Sequence, residues 1–311
     1  MLLSVVTPAD TDQRRPAVSE VLAVTEPDVE SAWRRRSGLN PSLIAGGILV
    51  GAVVLTALVS YVWTPMDPTH VVVSDRFRAP GQGGHLLGSD ALGRDVASQI
   101  MAGARNTLLV GMVTVVIALL VGVPLGGVAA LYRGWAEELV MRLSDLVLAF
   151  PALLLAFLFA AVFHASTLTA MGAIGIAFVP VFARVVRGAG LQVMEQDYVT
   201  AARTFGSSTL GIFFRHLLPN VASVMIVQGT IAFAIAILAE AALSYLGLGT
   251  PPPTPSWGRM LSDAQNYLAQ SSTLALWPGL SIALSVLGFN LLGDGLRDLL
   301  DPKLVQRIPP Q

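Results

Sequence analysis

Few residues of this chain could make or break a covalent bond. Its four histidines, His70, His85, His164 and His216, are scattered, with no H-E-x-x-H pair and no spacing that would gather them round a metal. Cysteine is absent, which removes disulfides, thiolate nucleophiles and thiolate-bound metals. A G-x-S-x-G elbow is missing too. A phosphate-gripping loop needs G-x4-G-K-[ST], whereas the single lysine, Lys303, follows Asp301 and Pro302. No catalytic residue, bound cofactor or metal is therefore expected. What remains is a chemistry of contact, concentrated in DYVTAARTFGSSTLGIFFRHLLPN, Asp197 to Asn220.

Local physics gives that stretch a shape. Asp197 can cap a helix starting at Tyr198, its carboxylate meeting free backbone N–H groups. Tyr198, Ala201, Ala202 and Phe205 then fall at i, i+3, i+4 and i+7, one apolar face. Gly206 supplies the left-handed turn that ends the helix. Ser207 or Ser208 can cap a second helix, in which Leu210, Phe213, Phe214 and Leu217 repeat the spacing, and Pro219 is expected to stop it. Arg203, Arg215 and His216 are its basic members. Such a pair of amphipathic helices could lie on lipid headgroups or fit a groove on a soluble partner. Residue spacing alone allows both.

The elements that must position this pair are apolar. Of 311 residues 54% are hydrophobic and only 13% charged, against about 25% in soluble globular chains. Six apolar stretches account for this: Leu43–Trp63, Thr107–Leu131, Leu146–Phe163, Leu168–Ala183, Val221–Ala239 and Leu274–Gly293. Most reach or approach the roughly 20 residues a helix needs to cross a bilayer. The expected class is an all-α membrane protein of six spans, the first serving as its own insertion signal because MLLSVVTPADTDQRRP lacks the pattern of a signal peptide. Arginines crowd one side: Arg14, Arg15, Arg34, Arg35 and Arg36 before the first span, and Arg184, Arg187, Arg203 and Arg215 after the fourth. The opposite side holds Arg76, Arg78, Arg94, Arg105 and Arg259. The positive-inside rule places both termini and the helix pair in the cytoplasm.

Residues 1–38 read as a flexible tail, 39–303 as the six-span domain and 304–311 as a short terminal tail. Two loops fall within the domain, an extracytoplasmic one at 64–106 and the cytoplasmic one at 188–220. In the former, Ser89 or Asp90 can cap a helix running towards Arg105, and Arg94 with Asp95 can fix the loop's shape. PPPTPSWGRM forms a stiff proline corner followed by an expected interfacial Trp257. Pro124, Pro151 and Pro180 are expected to kink their spans. Glu240 interrupts an apolar run near the outer end of the fifth span. It is either a structural or interfacial residue or part of a translocation pathway. Gln228 and Asn290 are further pathway candidates, with interhelical hydrogen bonding as the alternative. Asp145, Asp294, Arg297, Asp298 and Asp301 collect at expected cytoplasmic ends, Arg297 and Asp301 being i, i+4 neighbours.

The 197–220 stretch resembles the cytoplasmic loop of binding-protein-dependent ATP-binding-cassette importers, whose pattern is E-A-A-x3-G-x9-I-x-L-P. Ala201, Ala202, Gly206, Leu218 and Pro219 stand at matching positions, while Thr200 replaces the Glu and His216 the Ile. HLLGSDALGRDVASQIMAGARNTLLVG (His85–Gly111) and NLLGDGLRDLLDP (Asn290–Pro302) are similar to signatures of the dipeptide/oligopeptide/nickel subgroup, closest to its C-type permease. The likeness runs from about Ser42 to Lys303. It implies a permease subunit forming half of a pathway for short peptides, or for nickel or another small solute. It further implies a homologous second permease, two cytoplasmic ATPase subunits that bind ATP and magnesium, and an extracytoplasmic solute-binding protein. Within that family the 197–219 loop is the ATPase contact, which favours docking over lipid. The competing expectation is a secondary transporter or channel. The formal net charge of −1 is neutral on nucleic acid, and none is expected as a partner.

Overall fold

A computed structural model describes residues 40–300. The expected tails at 1–38 and 304–311, and the residues Asp301 and Lys303, lie outside the described residues. Among those described there are ten α-helices and no strand, only an isolated bridge between Ser89 and Asp95.

Helix α1, Pro41–Val62, begins where Asn40 accepts the Ser42 amide at 3.1 Å and Pro41 has no amide to leave unpaired. Helix α2, Val96–Leu131, has 36 residues and continues through Pro124, so it is about 54 Å long, well beyond the ~30 Å hydrocarbon core. Sequence placed its cap at Ser89 or Asp90. The cap is Asp95, whose carboxylate takes the Ser98 amide at 2.8 Å and the Ser98 hydroxyl at 2.7 Å. Asp90 instead folds its own loop, accepting from the amides of Leu92 and Arg94.

The third apolar stretch is not one helix. Helix α3, Trp135–Leu148, and helix α4, Ala152–Phe163, are bent by 82° at the break between them. Pro151 lacks the amide that would continue the ladder and disfavours helical backbone at Phe150. The kink expected there is a full break. Helix α5, Thr167–Met194, by contrast runs through Pro180 and beyond the expected end at Ala183. Helices α6, Asp197–Thr204, and α7, Thr209–Ile212, are short. Then come α8, Leu218–Tyr245, α9, Trp257–Ala264, and α10, Thr273–Leu300. Five of these helices or continuous helical runs are long and apolar enough to cross a membrane, six if the bent pair counts as one span.

Small residues let the spans approach. A Cβ on Gly126 of α2 would lie 2.4 Å from the Ala183 carbonyl oxygen of α5, and one on Gly295 of α10 would lie 2.6 Å from the Leu43 backbone of α1. Two apolar cores result. One joins Val110, Ala118, Phe178, Phe182, Val186, Leu217 and Val221. The other gathers Ala57, Phe233, Ile237, Trp257 and Phe289, with the rings of Phe233 and Phe289 stacked at 4.1 Å. Trp257 is thus no interfacial anchor: it is buried, and its indole N–H reaches the Ile100 carbonyl at 3.0 Å. Around these cores Ile48, Leu55, Leu58 and Leu120 stay exposed, a belt suited to hydrocarbon. Following the positive-inside expectation, the end bearing α6 is termed the inner end and that bearing residues 64–95 the outer.

Candidate functional site

At the inner end α5 stops at Met194, and α6 follows almost at once. Its cap is Gln196, and Asp197 is the first helical residue rather than the cap, still placed where a carboxylate meets the positive end of the helix. The helix closes as expected. Gly206 has φ +83°; its amide bonds Arg203 O at 2.9 Å while the Ser207 amide bonds Ala202 O at 3.0 Å. Those two bonds with a left-handed residue between them form a Schellman stop.

Ser208 then caps α7, accepting the Gly211 amide at 3.1 Å. The second helix was expected to end before the fifth span, and it does not. Phe213–Leu217 form a turn of π-helix that runs directly into α8. Pro219 cannot donate to the Arg215 carbonyl, and widening the preceding turn by one residue absorbs that loss without ending the helix. The Asn220 side-chain amide donates to the His216 carbonyl at 2.6 Å. The element is therefore welded to α8 and hinged at one corner to α5.

Its two faces differ. Val199, Ile212 and Met194 are buried together, with Leu131 and Val193 against them, and fasten the element to the inner ends of α2 and α5. Phe213 lies half-buried over Gly127 of α2, so it anchors the element rather than presenting a free surface. Outward stand Tyr198, Phe205, Leu210 and Phe214, with Phe205 90% exposed. Asp197, Ala201, Arg203, Arg215 and Pro219 are exposed beside them, while Ala202 and His216 are half-buried. The His216 ring lies 5.7 Å from that of Tyr198, and Arg203 reaches back to the Met194 sulfur at 3.5 Å. The face read from spacing thus points away from the protein in α6, whereas that of the second helix is split, with Leu210 and Phe214 outward and Phe213 and Leu217 inward. Val199 and Ile212, which spacing did not single out, hold it there.

The outer ends of the same helices are tied by a polar cluster. Glu240 is 1% exposed; it accepts from the Ser244 hydroxyl at 2.6 Å and the Asn106 amide at 3.4 Å. Asn106 also donates to Thr250 at 2.6 Å, and Thr167 at the head of α5 donates to Thr250 at 3.2 Å. Glu240 therefore sits inside the subunit joining α2, α5 and α8 and opens on no surface. Gln228 is half-buried and Asn290 exposed, and neither makes a side-chain hydrogen bond among the described residues. The structure does not bring the three pathway candidates together. Beyond the cluster, Asp75 accepts from Arg78 at 2.6 Å and His85 meets Asp95 at 3.0 Å. Arg94 joins Asp90 to Asp263, tying the outer loop to α9. Arg78's hydrogen bond to Asp75 lowers that carboxyl's pKa from its ordinary 3.8.

Long apolar helices carrying a compact, outward-facing apolar element on one end define a multi-pass membrane protein. Comparison with known proteins agrees. Residues 122–306 match the model of the binding-protein-dependent transport system inner membrane component. The chain is 36% identical over 295 residues to the glutathione transport system permease protein GsiD of Pectobacterium atrosepticum, covering 94% of this chain and 98% of that one. It is 40% identical to the dipeptide transport system permease protein DppC of Alkalihalophilus pseudofirmus, over 88% and 91% of the two chains. With the di/tripeptide permease DppC of Pseudomonas aeruginosa the identity is 42%, over 85% and 89%. A solved chain of the MetNI methionine ABC transporter, in an inward-facing form, superposes with TM-score 0.55 at 16% identity, covering 65% of this chain and 96% of that one, which is a likeness of fold. The chain belongs to the family of binding-protein-dependent transport system inner membrane components. It is a multi-pass inner-membrane permease subunit.

Proposed function

We propose that this chain forms half of the pathway of an ATP-driven importer for dipeptides or short oligopeptides, with both termini in the cytoplasm. The relatives named above are a dipeptide, a di/tripeptide and a glutathione permease, and their named solutes share the chemistry of short peptides. ATP and magnesium bind on two separate cytoplasmic ATPase subunits; a second, homologous permease completes the pathway and an extracytoplasmic solute-binding protein delivers the peptide. One observation carries the reading: an apolar, mostly aromatic row, Tyr198, Phe205, Leu210 and Phe214, exposed on an element continuous with α8 and one corner from α5.

The mechanism follows from that continuity. A partner that grips the row and moves it turns α8 as a rigid rod and drags the inner end of α5. Two alternating states of the cavity follow, each favoured by one state of the ATPases. Asp197, Tyr198, Ala201, Ala202, Arg203, Phe205, Gly206, Phe213, Arg215, His216 and Pro219 make up the coupling element, Phe213 from its anchored side. The test is reconstitution of the chain with its second permease, ATPases and binding protein in liposomes. Dipeptide uptake should require ATP and every component. Uptake by the chain alone, driven by an ion gradient, would replace this reading with that of a secondary transporter.

A further inference from the structure

The break between α3 and α4 lies where lipid could not tolerate it. Helix α4 has 12 residues, about 18 Å from the break to its outer end, against a hydrocarbon core of ~30 Å. With Phe163 placed at the outer boundary of the hydrocarbon, any tilt brings the break nearer the outer face, so residues 149–151 fall within hydrocarbon depth. Ala149, Phe150, Pro151 and Ala152 are all exposed, and no side chain caps α4. Its first amides therefore meet no protein acceptor within the helix. Irregular backbone at this depth survives only when buried in protein or facing water.

A second observation on a different helix points the same way. Arg184 donates to Asp145 across α5 and α3, and the two side chains are 46% and 62% exposed. Arg184 stands 17 residues after Thr167, about 26 Å along α5. An ion pair open to hydrocarbon there would be costly. Glu240 of α8, also a carboxylate within a span, is by contrast enclosed and hydrogen-bonded.

We propose that the Ala149–Pro151 break and the Asp145–Arg184 pair line the water-filled inner half of the translocation pathway. There, opposite charges meet the ammonium and carboxylate of a passing short peptide. The assignment rests on the reading of this chain as half of a peptide pathway, and it adds residues that the sequence did not mark for the pathway. The lack of cysteine makes the test clean. Ala149→Cys and Phe150→Cys each place a single thiol in this chain, and Leu55→Cys on the exposed face of α1 is the lipid-facing control. The assembled transporter in liposomes is treated with a permanently charged thiol reagent, and modification of this subunit is followed by mass.

Positions 149 and 150 should react about tenfold or more faster than position 55, within the discrimination hydrocarbon imposes on a charge, and added dipeptide should slow them. Reaction no faster than at position 55 overturns the assignment and would mean that the second permease covers the break. ATP-dependent uptake by the unmodified complex reports separately. Uptake without labelling rejects the pathway residues alone, whereas uptake that needs no ATP rejects the reading beneath them.

Discussion

The two ends of α5 and α8 are built on opposite plans. At the inner end three apolar residues, Met194, Val199 and Ile212, hold down an element whose aromatics face outward. At the outer end the same helices are joined through Glu240, Asn106, Ser244, Thr250 and Thr167, most of them buried and all hydrogen-bonded. Apolar contact is non-directional and tolerates sliding, whereas a buried polar cluster loses heavily when any member is displaced. One end is therefore suited to being moved and the other to staying registered while it pivots.

The sharpest way to break that contrast is at the corner. Gly206→Val forces a β-branched residue into φ +83°, where nothing crowds the position, so the penalty is purely in the backbone. A left-handed conformation costs an ordinary residue ~1–2 kcal/mol and more if β-branched. Reorienting the element should cut uptake by about tenfold or more, with ATPase activity of the partners retained. Full uptake in this variant would show that the corner's geometry does not matter.

Next in size is the outer cluster. Glu240→Ala leaves the Ser244 hydroxyl without its acceptor, while Asn106 keeps Thr250, and an orphaned buried group costs ~1–3 kcal/mol. The purified complex should melt several degrees lower, while Glu240→Gln, which keeps one acceptor oxygen, should fall less. Equal melting for all three would reduce the cluster to ordinary packing. Of similar size is Asp95→Ala, which removes the cap of α2 at a cost of ~1 kcal/mol and leaves the buried His85 ring without its carboxylate partner; faster proteolysis of the 64–95 loop with near-normal uptake is the expected outcome.

The least effect is one of pH. Arg78 holds the Asp75 carboxyl below its ordinary 3.8. A depressed folded pKa stabilises above the unfolded value, and that contribution disappears as pH falls through the lowered one. Protease resistance of the outer loop should stay level from neutral pH down to about pH 4 and decline only below it. Decline near pH 6 would point to a different group.

The sequence was most legible where one residue type has one physical use. Gly206 was readable because a left-handed turn favours glycine, and five of the six apolar stretches because hydrocarbon leaves a chain few alternatives. Elements whose outcome depends on a neighbour were not. Pro219 signals a stop on its own, yet a π turn carries the helix past it. Pro151 signals the same kink as Pro180, but the chain breaks at one and runs through the other. Which face of α6 is buried was hidden because Val199 is also apolar, about 100° round the helix from Tyr198, and only the ends of α2 and α5 decide between them. Trp257 carries an interfacial signature and is buried because Ile100 offers a carbonyl partner.

On the proposed function the inner element is gripped by a nucleotide-hydrolysing protein. Placing a photo-crosslinking side chain at Phe205, the most exposed aromatic of the row, in the assembled transporter asks this directly. Irradiation should join this subunit to the cytoplasmic ATPase, with a yield that changes when ATP is trapped on the complex. A crosslink to lipid alone, in membranes where ATP-driven uptake is intact, would contradict the account.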